Sequence, residues 1–304
     1  MDRQNAGIIV LGHPRSGTTL LRRLLDSHSR IACPPETHIL SACARFLQSE
    51  KTADGIDMGV LAGLNFAGIP DHTTLSELRE FAFSFLQRYA NEQDKPRWAE
   101  KTAFDSFHTE KIEQLCASHA LFVCVVRHPL DVAISTKEFC DSMGTYPTVL
   151  HKYIKAHAQP IEAFAHSWLD VGYQIDALYE RHPEQTTIVR YEDLVASPES
   201  VLCELLEFLG EKYEPEMLEH GLASSRKLGF GDHKSYSSND IHSASVERWR
   251  KLPDFQTSSL AALLNPMLDR FNYPALSTLK DVDLDGECRG CGYNADVHRL
   301  NLRP

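Results

Sequence analysis

The sequence contains no run approaching the roughly 18 consecutive apolar residues that a membrane-spanning helix requires. It also lacks an excess of positive charge, since 31 Lys and Arg stand against 42 Asp and Glu, a net charge of -11. That balance excludes a general binder of nucleic acid or of anionic membranes, so any anion must be held by a local cluster of cations. The opening MDRQNAG leads directly into an apolar strand, without a signal-peptide apolar region or cleavage site, and a cytoplasmic protein is expected. No internal repeat is present, and no linker splits the chain. The eight cysteines do not form a disulfide framework. Cys116, Cys124, Cys140 and Cys203 lie in apolar segments and read as buried small hydrophobes of a reducing compartment. One pair, Cys288 and Cys291 in ECRGCGYN, has the spacing of metal ligands. Structural zinc takes four ligands and only His298 lies nearby as a third, so a thiol pair that caps the fold or links to a partner is an equal reading.

What is present is enough apolar sequence, 42% of 304 residues, to bury a sizeable core. Short apolar runs suited to buried parallel strands occur at 7–11 (GIIVL), 121–126 (LFVCVV) and 186–190 (TTIVR), each followed by helix-like sequence. The alternation predicts an α/β fold, a central parallel sheet flanked by helices on both faces. DHTTLSELREFAFSFLQRYANEQ, QPIEAFAHSWLDVGYQIDALYERH and SPESVLCELLEFLGE carry apolar spacing near 3.6 residues, and the last has Pro198 early and Gly210 as a stop. A further amphipathic helix is predicted over 256–271. Residues 221–245, rich in glycine and serine, read as a ligand-covering or disordered loop. The economical organisation is a single domain over 1–304, with 274–304 an extension that carries the Cys-x-x-Cys pair.

The most informative stretch is IIVLGHPRSGTTLLRRLLDSH, residues 8–28. Glycines at 12 and 17 allow a tight turn after the strand, so that successive amide N–H groups and the positive end of the next helix converge on an anion. Nucleotide triphosphatases place lysine after the second glycine to neutralise the β and γ phosphates. Here that position is Thr18, followed by Thr19, and the positive charge has moved into the loop as Arg15. A second absence agrees: LFVCVVR ends in Arg127 where triphosphatases commonly place a magnesium-binding aspartate. Taken singly, a glycine turn can serve packing and Arg127 can be a surface arginine. Together, at the ends of two buried strands, they favour one ligand with two anionic ends, held without a metal.

PRSGTT and VVRHPLDVAIS resemble the 5′-phosphosulfate loop and the 3′-phosphate motif of sulfotransferases that use 3′-phosphoadenosine 5′-phosphosulfate (PAPS). The motifs are closest to tyrosylprotein-type and bacterial soluble members, whose fold is of P-loop type. The resemblance implies cofactor contacts from Arg15, Ser16, Gly17, Thr18 and Thr19 at one end and from Arg127 and Ser135 at the other. Ser135 falls less than two turns into a helix that begins near Pro129, within reach of what Arg127 holds. LLRRLLDSHSRIACPPETHIL is similar to the segment in which a glutamate just before a threonine serves as base, here Glu36. WAEKT is similar to the lysine-bearing strand end, giving Lys101, and VRYEDLVASPE gives Tyr191. SASVERWRKLP resembles the cofactor-covering segment, which adds Ser238 and Arg250, with Ser237 and His242 beside them. The similarity runs in matching order over about residues 7–273.

The chemistry implied is transfer of a sulfuryl group from PAPS to an acceptor hydroxyl, with Arg15 and Lys101 at the departing bridging oxygen and Glu36 as general base. The acceptor would be a small-molecule alcohol or phenol, or a glycan or lipid hydroxyl, with a peptide tyrosine ranked behind them. Ordinary readings stand beside each residue. Glu36 could cap the helix that follows PPETH, and His38 is a reserve base. Lys101 could be a surface lysine paired with Glu100 or Asp105, worth roughly 0 to 1 kcal/mol. Trp98 and Trp249 could stack on adenine or belong to the core. A P-loop kinase using magnesium ATP and a non-catalytic nucleotide-binding protein are the alternative functions, and Thr18 and Arg127 argue against the first.

Overall fold

The computed structural model describes residues 3–223, 241 and 243–278. Strands β1 (Gly7–Leu11), β2 (Ile31–Ala32), β5 (Arg97–Glu100), β6 (Ala120–Val126) and β7 (Thr186–Arg190) form one parallel sheet in the order β2-β5-β1-β6-β7. Two short strands, β3 (Ser49–Lys51) and β4 (Asp57–Gly59), form a separate antiparallel hairpin. The three apolar runs thus become β1, β6 and β7. The pair Ile31–Ala32 and the hairpin escape sequence reading because two or three residues carry no measurable period.

Alternation along the strands explains why both faces are covered. Ile9 and Leu11 of β1 and Phe122, Cys124 and Val126 of β6 face one apolar layer. Ile8, Val10, Leu121, Val123 and Val125 face the other. Successive side chains of a strand point to opposite faces, so continuous apolar runs need helices on both. The first layer includes residues of α4 (Asp71–Glu92), α5 (Thr109–Cys116), α6 (Pro129–Met143), α8 (Pro160–Arg181) and α12 (Asp254–Arg270). The second is completed by α1 (Thr18–Ser27), α10 (Pro198–Leu209) and α11 (Glu216–Ala223). The remaining helices are α2 (Ile39–Phe46), α3 (Val60–Phe66), α7 (His151–Ala156) and α9 (Tyr191–Ala196).

Local signals set the ends. Proline opens α6, α8 and α10, where its fixed φ suits the first turn and its missing N–H costs nothing. Gly144 and Gly210 follow α6 and α10 in the left-handed region. Among the described residues, no helix is long and apolar enough to cross a membrane. Cys116, Cys124 and Cys140 are buried as expected, but Cys203 is exposed, because it falls on the solvent side of α10 while Leu202, Leu205 and Leu206 take the core side. Ser237, Ser238, His242, Cys288 and Cys291 lie outside the described residues.

The strand order reverses on either side of β1, and the carboxyl ends of β1, β5 and β6 lie side by side at that switch point, where open α/β sheets bind ligands. The central strand Phe122 is fully buried. Phe122→Ala is expected to cost about 3 to 5 kcal/mol of folding stability, measured as a shift of the urea midpoint at unchanged slope.

Candidate active site

The chain leaves β1 through Gly12, which touches its neighbours so closely that a Cβ would lie 2.5 Å from the carbonyl oxygen of Val125. Ser106, from the short helical turn Ala103–His108, clamps Gly12 from both sides. Its Oγ accepts from Gly12 N at 2.6 Å and donates to Gly12 O at 2.9 Å. Sequence reading missed Ser106, because nothing local marks it. Gly17 enters α1 at φ 95, and a Cβ there would lie 2.3 Å from the Tyr191 ring. Both the conformation and the space therefore demand glycine. His13, buried within the turn, has Nδ1 2.7 Å from Pro14 O and Nε2 2.8 Å from Ser167 Oγ. Since a carbonyl only accepts, Nδ1 carries the proton, and burial lowers the His13 pKa to about 4. The loop thus holds a neutral imidazole. Ser16 Oγ is buried without a hydrogen-bond partner, which leaves it to serve a ligand.

Arg127, at the end of β6, is 4% exposed. Its guanidinium donates to Arg15 O at 2.9 Å and to Ser245 O at 2.5 Å, and lies 4.7 Å from the centre of the Tyr191 ring. Its Nε is buried without a partner, and burial lowers its pKa. The Tyr191 ring therefore packs against both Gly17 and Arg127. Arg15 donates from Nε to Ser135 Oγ at 3.1 Å and lies over the Phe139 ring. Arg15, expected beside Lys101, instead meets Ser135, Phe139 and, through its backbone, Arg127. Thr136, next to Ser135 on α6, holds a buried hydroxyl without a partner and was missed by sequence reading.

Lys101, just past β5, is no surface lysine: its side chain is 1% exposed. Nζ lies 2.5 Å from Glu36 Oε1 and 3.3 Å from Thr19 Oγ1. Glu36 is 8% exposed and does not cap α2, whose N-cap position is taken by His38. The geometry therefore brings Glu36, Lys101 and Thr19 together, and separately Arg15, Arg127 and Ser135. Thr18 is buried at the head of α1, with its methyl toward Gly12. Arg250 is exposed, pairs with Glu247 at 2.7 Å and lies over Trp249. Trp249 stacks on His128 at 4.6 Å and Trp98 is a core residue.

Comparisons with known proteins give the family of the chain. The pattern described as "Sulfotransferase family" matches residues 7–215. The chain belongs to the sulfotransferase family. It is similar to nodulation protein NoeE of Sinorhizobium fredii, 29% identical over 257 residues, which cover 79% of this chain and 59% of NoeE. A protein-tyrosine sulfotransferase of Drosophila melanogaster is 23% identical over 227 residues, covering 72% of this chain and 41% of that protein. The chain thus spans about half the length of these two relatives. Among solved structures, the sulfotransferase domain of the Synechococcus PCC 7002 olefin synthase has a TM-score of 0.60 at 20% identity, covering 90% of this chain and 98% of that one. Mouse sulfotransferase SULT7A1 complexed with PAP has a TM-score of 0.50 at 13% identity, covering 87% and 85%. These likenesses establish the fold of the chain.

Beneath the Glu36 and Lys101 pair lies a buried carboxyl that sequence reading named only as a neighbour. Glu100 is fully buried and accepts from Thr102 Oγ1 at 2.7 Å and from Thr37. Thr102 Oγ1 in turn accepts from His38 N at 3.1 Å. Glu100 thereby ties the Glu36-Thr37-His38 turn to the end of β5. Burial raises its pKa from 4.5 to about 7, against the lowering effect of Thr102, Thr37 and Lys101. Asp105 is also raised by burial, then by Glu100. A carboxyl with a raised folded pKa binds more protons folded than unfolded, so its contribution falls as pH rises from about 4.5 to 7 and is level above. His13 has the opposite sign, adding stability as pH rises from about 4 to 6.5. The difference between wild type and Glu100→Gln isolates the carboxyl. Urea titrations at pH 5 and pH 8 are expected to show a loss in wild type that exceeds the variant's by at most about 3 kcal/mol; identical pH dependence in both would refute the assignment.

Proposed function

We propose that this chain transfers a sulfuryl group from PAPS to a hydroxyl acceptor, with Glu36 as general base and Lys101 as the cation at the leaving group. The observation that carries the reading is the buried contact of Lys101 with both Glu36 and Thr19, which joins a base to the head of the anion-binding helix. Support for the donor comes from groups with hydrogen-bonding capacity to spare. Ser16 Oγ, Thr136 Oγ1 and Arg127 Nε are buried and unpartnered, as expected of atoms that meet a polar ligand. The fold neighbour SULT7A1 is complexed with PAP, the product such a donor leaves behind.

In this scheme Ser16, Gly17, Thr18 and Thr19 hold the 5′-phosphate with the amides at the start of α1. Arg127 and Ser135 hold the 3′-phosphate, with the Tyr191 ring beneath. Arg15 bridges the two ends, with its side chain toward Ser135 and its backbone in the loop. Ser238 and Arg250 belong to the segment that covers the donor. When bound, PAPS supplies the sulfuryl group and leaves as 3′,5′-diphosphoadenosine. An ammonium has three donors, and Glu36 and Thr19 take two of those on Lys101, so the third is available to stabilise charge on the leaving oxygen. Glu36 removes the acceptor proton. The scheme works through cations, amides and hydroxyls and asks for no metal. The acceptor is a small-molecule alcohol or phenol, or a glycan or lipid hydroxyl, ahead of a peptide tyrosine, and the reaction runs in the cytoplasm, where the buried thiols stay reduced.

Glu36→Gln is expected to bind 3′,5′-diphosphoadenosine as wild type does while turnover falls by roughly 10² to 10⁴; calorimetry and a radiolabelled sulfuryl-transfer assay give the two readings. Unchanged turnover would remove Glu36 from the chemistry. For the other end, Arg127→Ala is expected to weaken PAPS at least about tenfold more than adenosine 5′-phosphosulfate, since charge-assisted hydrogen bonds are worth about 1.5 to 3 kcal/mol. Equal losses for both nucleotides in competition binding would show that Arg127 does not hold the 3′-phosphate.

A further inference from the structure

Away from the donor site, where α7 meets α8, three side chains converge that sulfuryl transfer does not use. His157 caps the C-terminus of α7 in an extended conformation, its N–H donating to Tyr153 O at 3.0 Å. Three residues later Pro160 opens α8, and Glu162 and His166 follow one turn apart, so that both project from the same side of the helix. One ligand atom from each of His157, Glu162 and His166 lies within 4.8 Å of the other two, and all three residues are half-buried. The two imidazoles are stacked, with centroids 3.9 Å apart and planes at 14°. The two rings are thus held side by side, with their nitrogens close together.

His157 Nδ1 lies 3.3 Å from Glu162 Oε1. An N–H···O bond is most often about 2.9 to 3.0 Å long, so this contact is loose for a hydrogen bond. It matches the edge of a tetrahedral ion: two ligands each 2.0 to 2.1 Å from the metal stand about 3.3 to 3.4 Å apart. The donor set decides the class of ion. Two imidazoles with one carboxylate suit zinc and its borderline neighbours, whereas calcium and magnesium take oxygen ligands and copper(I) selects sulfur. One turn further along α8, Asp170 accepts from Tyr153 OH at 2.6 Å and Lys152 Nζ at 3.0 Å, adding a second carboxylate along this stretch of the helix.

We propose that His157, Glu162 and His166 form a three-ligand site for a zinc-class divalent ion, with water completing the coordination, that pins α7 to α8. The ligand atoms already lie within 4.8 Å of one another, and closing on an ion turns the two half-exposed imidazoles out of their stack so that their lone pairs converge. The same α8 carries Ser167, which touches His13 of the glycine turn, and Trp168, which donates to Arg127 O at 3.1 Å. The ion would therefore brace the helix that backs the donor site, independently of which group is transferred there.

The test uses the full chain with Cys288→Ser and Cys291→Ser, so that tail thiols do not compete, stripped with a chelator and titrated with zinc sulfate by calorimetry. One saturable site and a rise in Tm are expected. His157→Ala and His166→Ala should each weaken binding more than about 100-fold, since even outer partners of metal ligands cost 10- to 100-fold. Glu162→Gln keeps the shape of the side chain, and should weaken binding at least about tenfold, which covers an alanine variant that fails to fold. Absence of saturable binding in the parent chain, or binding that the variants retain, overturns the proposal.

Discussion

The register of β1 between β5 and β6 is the constraint on which the site rests. Ile9 sits opposite Glu100 and Leu11 opposite Cys124, so the three strands deliver Gly12, Lys101 and Arg127 along one edge of the sheet. Strands stand about 4.7 to 4.9 Å apart, a spacing that sets cations and loop amides within the span of one small ligand. A slip of one residue would exchange the two faces of β1 and send Ile8 and Val10 into the layer built for Ile9 and Leu11. Core packing on both faces therefore fixes the geometry of the edge. β1, β5 and β6 are buried throughout, while Gly12, Lys101 and Arg127 follow immediately after them.

That arrangement places charges where they are costly. Lys101 and Glu36 are almost fully withdrawn from water, and the effective penalty for burying each ion is several kcal/mol, which mutual attraction offsets only with good geometry and further hydrogen bonds. Here the further bonds exist on the lysine side, through Thr19. Glu100 and Asp105 add two more buried carboxyls, each pushed toward its neutral form by burial. Each of these two acids keeps one hydroxyl partner, Glu100 with Thr102 and Asp105 with Ser41. A cluster so costly to bury is not a stabilising core.

How much of this is legible in sequence follows from the length scale of each signal. The glycine turn, Arg127 and the strands that present them are local, so GIIVL and LFVCVV with their following residues announce them directly. Lys101 and Glu36 stand 65 residues apart, and only motif resemblance relates them. Ser106 reaches the loop from 94 residues away with no pattern of its own, and Ser245 meets Arg127 from 118 residues away. Cys203 misled because a helix such as α10 has a solvent side even within an apolar stretch. The hairpin of β3 and β4 is too short and too polar for periodicity to register.

Backbone conformation separates the requirements of folding from those of binding. Arg15 and His38 occupy the left-handed region at φ 75 and φ 57, where a side chain other than glycine costs roughly 1 to 2 kcal/mol. Each is held there by bonds from elsewhere in the fold: Arg127 donates to the Arg15 carbonyl, and Thr102 Oγ1 accepts from the His38 amide. Glycine would relieve both positions, yet at 15 it would remove the guanidinium beside Ser135, and at 38 it would loosen the turn that directs Glu36. Each of the two turns that carry Arg15 and Glu36 thus holds a strained residue, and the partners that maintain the strain, Arg127 and Thr102, come just after β6 and β5. Conformational stress at the site is balanced by the same sheet whose register sets its geometry.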